Sequence, residues 1–224
     1  MRKLTKGEKP PILDAKEVEW TQEYLDAKAA KQKNMPSRWR HSEIKSAVAA
    51  ETADRCAYCD DNPKSVYPGD VEHLLPKSQF PHLVLKWSNL TFACWQCNNK
   101  KREYYSATLP LIDPYVDDPD EHLLFFGDLV LPRPGSERGI VTIHHLGLAR
   151  KPLVEERRNR IEHIVGLVQA WSKMPNAESA QAILEIIIEN YENGPFKATV
   201  RSLLREMGIL DFEDKLNKIL VSEV

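Results

Sequence analysis

The sequence predicts an α+β protein, mostly α. A short strand–strand–helix unit is stapled by cysteines, with helices before it and a helical bundle after it. Three observations carry this. The four cysteines form two C-x2-C pairs, Cys56/Cys59 and Cys94/Cys97. The chain between and just after them reads as strands over 71–75 and 91–93 and a helix over about 96–106. Beyond residue 146, apolar residues recur at helical spacing. The predicted organisation is 1–54, N-terminal arm and helices; 55–108, the stapled unit; 109–145, connector and β-hairpin; 146–224, helical bundle.

Residues 1–13 read as an extended arm broken by Pro10-Pro11. Helix formers dominate from Asp14 to about Asn34, with Asp14 as cap. Pro36 stops that helix, and Ser37 starts another carrying Trp39, Ile44, Val48 and Ala49 into Cys56. Residues 60–68 are turn-rich, and a long loop through Pro76, Pro81 and Trp87 joins the two strands. Residues 109–120 form a Pro/Asp-rich connector. Stretches 122–131 and 139–143 read as a hairpin across the 132–139 turn region. Four apolar stripes follow: Ile161 to Trp171, Ile183 to Tyr191, Phe196 to Met207 and Phe212 to Leu220, with Asn193-Gly194-Pro195 breaking the second from the third.

Lys and Arg number 31 against 33 Asp and Glu, a net charge of −2. A stand-alone nucleic-acid binder carries a basic excess, because phosphate contacts supply most of its affinity. Here positive charge is local: Lys31, Lys33, Arg38, Arg40 and Lys45, then Lys100, Lys101 and Arg102 beside the last cysteine. Either a small basic face suffices or a partner presents the substrate. No apolar run reaches the roughly 20 residues of a membrane helix. The basic start lacks an apolar core behind it, so a cytoplasmic location is expected. Paired C-x2-C turns in a cytosolic chain point to metal rather than disulfides. Cys56, Cys59, Cys94 and Cys97 are the expected ligands of one structural zinc.

Between the pairs lie Glu72-His73 and then Trp87-Ser88-Asn89-Leu90; Asn98-Asn99-Lys100-Lys101 follow Cys97. Phosphodiester hydrolysis needs an activated water and stabilisation of developing charge. A neutral imidazole takes a water's proton near pH 7. Magnesium or manganese prefers oxygen donors, which Glu and the Asn amide supply. Adjacent strand residues leave on opposite faces, so Glu72 and His73 share one site only if the strand bends towards Pro76.

In order, EHLLP, WSNL and CWQCNNKK resemble the HNH endonuclease motif, the ββα-metal finger. The resemblance implies His73 as general base, Glu72 and Asn98 as ligands of a catalytic Mg²⁺ or Mn²⁺, and Asn89 as the residue that orients the histidine and its loop. It places Lys101 near substrate phosphate, with Lys100 and Arg102 beside it. Glu72 stands where Asp is commoner, and Asn98 replaces the histidine of the family name. Both changes keep oxygen donors. MRKLTKGEKPPIL, LIDPYVDDPDEHLLF and GIVTIHHLGLARKPLVEERRNRI further resemble the PtuB family, the HNH subunits of Septu and related retron antiphage systems. That likeness implies a PtuA-like ATPase partner and a defence role, with the N-terminal arm or the C-terminal stripes as docking surfaces.

DNA is the favoured substrate. RNA such as tRNA is an alternative, because little in such a site rejects a 2′-hydroxyl. A zinc-finger adaptor without catalysis is the other alternative. His82 lies in the intervening loop within possible reach of substrate, whereas His41, His122, His144, His145 and His163 lack a motif context. Tyr104 and Tyr105 either stack on a base or pack against the finger.

Overall fold

Residues 1–63 and 68–209 are described by the computed structural model, and they fall into two units. The first holds 1–122 and 132–148; the second holds 123–131 and the chain from 149 on. Among the described residues there are seven α-helices and two two-stranded sheets, and no helix is long and apolar enough to cross a membrane.

In the first unit, α1 spans Pro11–Ala29. It begins earlier than the Asp14 cap implies, because proline fits the first helical position: its missing N–H would be unpaired there anyway. Leu13, Trp20, Tyr24 and Ala27 form its buried stripe. The single helix expected from Ser37 is two pieces, a 3-10 turn at Arg38–Arg40 and α2 at Ser42–Glu51. His41 separates them with extended backbone (ψ 141°), and its ring faces the Glu43 amide at 3.4 Å. Strands β1 (Asp70–His73) and β2 (Leu90–Ala93) pair antiparallel, with Glu72 opposite Thr91 and His73 opposite Leu90. Helix α3, Trp95–Lys101, follows at once and stops where Arg102 turns to φ +51°.

The hairpin rests on α2 through a core that includes Trp39, Ile44, Val48, Val71 and Phe92. Gly69 enters β1 at φ +60°, and a Cβ there would lie 2.3 Å from the Phe92 ring.

The N-terminal arm packs onto this unit, with Met1 and Leu4 buried. Leu4 N donates to Pro114 O at 2.8 Å, binding the arm to the connector. Lys6 Nζ reaches Glu51 Oε1 at 2.8 Å and the Leu90 carbonyl at 2.5 Å, and lies 3.8 Å from the centre of the Trp87 ring. The Tyr115 hydroxyl completes the knot, 2.5 Å from Glu51 and 2.7 Å from Thr91.

The hairpin expected between 122–131 and 139–143 is a correction. Both of its strands lie in the first stretch: β3 is Leu123–Phe126 and β4 is Leu129–Pro132, turning at Gly127 with φ +57°. The β-branched run at 140–143 belongs to helix α4, Glu137–Leu146. Ser136 caps its start by accepting from Gly139 N, and Gly147 in the left-handed region ends it. These end signals outweigh strand propensity, and the buried positions Gly139, Thr142 and Leu146 recur at helical spacing.

In the second unit, α5 (Lys151–Ser172), α6 (Ala177–Asn193) and α7 (Lys197–Glu206) bury Ile164, Val168, Ile187, Tyr191, Val200 and Leu204 against one another. Three of the four expected stripes are therefore core. The fourth, Phe212 to Leu220, lies outside the described residues. Ser202 Oγ donates to Phe125 O at 2.6 Å, fastening β3 to α7.

Gly69→Ala is expected to lower stability by about 1–3 kcal/mol, the usual cost of overpacking a filled core. A denaturant midpoint near wild type would contradict the close approach to Phe92.

Candidate active site

The four cysteine sulfurs lie within 4.8 Å of one another and all four residues are buried. Cys59 Sγ and Cys94 Sγ are 3.8 Å apart. That is far beyond a disulfide's ~2.05 Å. It matches the ~3.8 Å between thiolates on a tetrahedral zinc with bonds of ~2.3 Å. Cys97 N points at Cys94 Sγ at 3.4 Å, so that sulfur also caps α3. Burial pushes the Cys56 thiol up, while hydrogen bonding from Cys56, Cys59 and Cys97 pulls Cys94 down. A dication among them lets all four ionise, so the donor set fits structural zinc.

The first knuckle turns at Asp60, φ +64°, with Asp60 N donating to Cys56 O at 2.9 Å. The buried Asp60 carboxylate lies 2.9 Å from Arg2 Nε and 3.4 Å from Arg55 Nε. Ala57 N donates to Phe92 O at 2.9 Å, which ties this knuckle to β2.

Strand alternation then divides the candidate residues. Asp70 and Glu72 meet α3: Asn98 Nδ2 makes a long 3.5 Å contact to Asp70 Oδ2, and Lys101 Nζ lies 2.8 Å from Glu72 Oε1. Val71 and His73 face the other way, into the α2 and Trp39 core. The hairpin and helix thus bring Glu72 and Asn98 to one face, while His73 stands on the opposite face. β1 does not bend enough to join them.

Lys101 is a second correction. It is 2 % exposed, and its ammonium binds Glu72 and the His73 carbonyl, each at 2.8 Å. It neutralises a buried carboxylate instead of presenting charge to phosphate. Burial raises the Glu72 pKa and Lys101 works against that rise. Lys100 and Arg102, on either side, are exposed.

His73 is 3 % exposed, with its ring edge-on to Trp39 at 5.1 Å. Nε2 lies 2.9 Å from the Val84 carbonyl. A carbonyl only accepts, so Nε2 carries the proton and Nδ1 the lone pair. Burial first, then the charge of Lys77, lowers its pKa to about 3, which keeps the ring neutral.

Asn89 organises the loop after β1. Its Oδ1 accepts from Leu75 N at 2.7 Å, and its Nδ2 donates to the carbonyls of Leu75 and Leu83, each at 3.1 Å. These bonds hold the Val84 carbonyl over His73.

Three participants were missed in the sequence. Asp70 was visible in principle, two positions before Glu72 and so on its face. Trp39 and Lys77, whose ammonium lies 5.2 Å from the Trp39 ring centre, gave no local signal. His82 is exposed in the 3-10 turn Pro81–Leu83. Among the other histidines, His122 meets Ser136 at 2.8 Å, His145 stacks on Tyr104 at 3.8 Å and His163 meets Asn190 at 3.1 Å.

The family model for HNH endonuclease matches residues 56–103, from the first knuckle to just past α3. The chain is 28 % identical over 215 residues to Septu protein PtuB of Bacillus thuringiensis, covering 90 % of this chain and 80 % of that protein. It is 25 % identical over 150 residues to Septu protein PtuB of Bacillus mycoides (strain KBAB4), covering 53 % of this chain and 51 % of that one.

Lys101→Ala strands the Glu72 carboxylate, and breaking such a buried pair costs about 3–5 kcal/mol. The expected outcome is a large drop in melting temperature with zinc still bound; a loss confined to nucleic-acid affinity would restore the phosphate role. Cys94→Ser is expected to release zinc and unfold the finger, read by metal content and circular dichroism.

Proposed function

We propose, from the premise that this chain is a PtuB-like protein with an HNH endonuclease domain at residues 56–103, that it is the metal-dependent endonuclease effector of a bacterial antiphage defence complex. DNA is the favoured substrate. The observation that supports this reading is the knuckle-bounded β1–β2–α3 unit, with Glu72 and His73 on β1, Asn89 in the turn before β2 and Asn98 on α3.

In this reading His73 is the base. Its proton on Nε2 is held by Val84, so Nδ1 is the atom that accepts a proton from the attacking water. The ring is covered by Trp39, edge-on at 5.1 Å, with the Lys77 ammonium 5.2 Å from that indole, so this reading requires access to Nδ1 past both. Asn89 positions His73 through the loop and does not touch substrate. Asn98 and Glu72 would hold Mg²⁺ or Mn²⁺, with Asp70 on the same face. Their oxygen donors suit a hard cation, and the ion would offset charge developing on the phosphoryl oxygens. Lys101 keeps the Glu72 side from carrying excess negative charge beforehand. Lys100 and Arg102 meet flanking phosphates.

The net charge of −2 supports a partner that delivers substrate, and a PtuA-like ATPase fills that role in the cytoplasm. One observation favours a second reading, a zinc-stapled binding module without catalysis: the burial of His73 on the face away from Asn98.

The two readings separate on His73→Ala, tested with zinc content and melting temperature monitored. Labelled DNA and total RNA are incubated with the chain and its operon neighbour in Mg²⁺ or Mn²⁺. A general base contributes about 10²–10⁴-fold, so cleavage is expected to fall by that factor. Undiminished cleavage by a folded variant would remove His73 from the chemistry, and no metal-dependent cleavage of either polymer by wild type would leave the binding module. Loss of one polymer alone from the cut pool identifies the substrate.

A further inference from the structure

Behind the Lys101–Glu72 pair the first unit contains a cavity of about 400 Å³. This is within the ~300–1,000 Å³ typical of small-molecule sites. It is lined by Leu74 and Leu75, which directly follow His73, by Pro110 and Ile112, and by the charged Asp113, Asp117 and Arg138. Tyr104 and Tyr105 also line it. The first is backed by His145 at 3.8 Å and the second by Phe80 at 4.6 Å, so both rings are propped in place. Lys101 reaches its inner end and uses two of its three N–H donors on Glu72 and the His73 carbonyl.

Tyr58 also lines this cavity. It is 1 % exposed, and among the described residues its hydroxyl has no hydrogen-bond partner. A phenolic O–H that deep is ordinarily paired. It sits between zinc ligands Cys56 and Cys59, on backbone the metal site holds rigid. Apolar side chains, two braced aromatic rings, one orphaned hydroxyl and charged groups at the lining suit a single planar heterocycle carrying polar edge atoms.

We infer that this cavity receives one unpaired nucleobase of the substrate strand, beside the Glu72 and Asn98 face that Lys101 joins to it. This rests on the nuclease reading and deepens it. The cavity admits one nucleotide and no duplex, so the substrate is single-stranded or unstacked at the cut. The base stacks on tyrosine and hydrogen-bonds the Tyr58 hydroxyl, and binding of this kind tolerates more than one base.

The test uses the full zinc-loaded chain and the four nucleoside 5′-monophosphates, with binding followed by ligand-observed NMR. Wild type is expected to bind at least one of them. Tyr58→Phe removes a single hydrogen bond, so affinity is expected to fall about three- to tenfold. Ile112→Trp fills the cavity and is expected to abolish binding. Tyr105→Ala, at a residue 39 % exposed, weakens binding without touching the core and covers the case in which the filled variant fails to fold. In parallel, an abasic site is scanned through a cleaved single strand. One position beside the cut is expected to lower kcat/KM at least tenfold, and Tyr105→Ala is expected to blunt that penalty. Monophosphate binding that these variants weaken, in a chain that cuts nothing, keeps the cavity and removes the nuclease reading. His73-dependent cleavage with a flat abasic scan and no monophosphate binding overturns the cavity proposal and leaves the nuclease reading standing.

Discussion

Four sulfur atoms hold the central unit together. Strands β1 and β2 are four residues each, and a two-stranded hairpin of that size is marginal in water. The knuckles close the hairpin at the end where α3 begins, so one ion orders the strand ends and the helix start together. Metal binding here is folding free energy, which a small loop-rich segment cannot draw from apolar burial alone. The first knuckle is anchored twice more, by Asp60 on Arg2 and Arg55 and by Ala57 on Phe92. The arm that supplies Arg2 is consequently a structural member of the unit.

Charge inside the unit is paired with care. Glu72 and Lys101 are both buried, and each would be costly alone. Their contact also reaches the His73 carbonyl, so Lys101 ties the end of α3 to the end of β1. On the far face His73 is neutral because its surroundings are apolar and nearby charge is positive. The two faces of one short strand therefore carry different chemistry: carboxylates and an amide towards α3, an imidazole towards the N-terminal core. Any reaction that uses both sides passes around the end of β1, where Asn89 fixes the following loop.

The second unit is simpler. Three helices share an apolar core, and β3 leans on α7 through Ser202. Its buried residues are used in packing, which matches the helical spacing that announced them.

The local parts were legible in the sequence because they are set by local rules. Two C-x2-C pairs offer the four thiolates of one ligand set, and three apolar stripes follow the helical period; α1 already stops at Ala29, well before the Pro36 that the sequence offered as its end. The strand–strand–helix order of the segment was legible for the same reason, although α3 ends at Lys101 and not near residue 106. What the residues face was not. Lys101 reads as an exposed cation beside Lys100 and Arg102, and only the packing of α3 on β1 turns it inward to Glu72. His73 reads as a partner of Asn98, yet strand alternation and the distant Trp39 put it on the other side. The run at 140–143 has strand composition, and the Ser136 cap and Gly147 stop that overrule it lie outside the run. Side-chain chemistry and spacing are properties of the chain; burial, facing and pairing across many residues belong to the fold, because they depend on which distant surface arrives opposite.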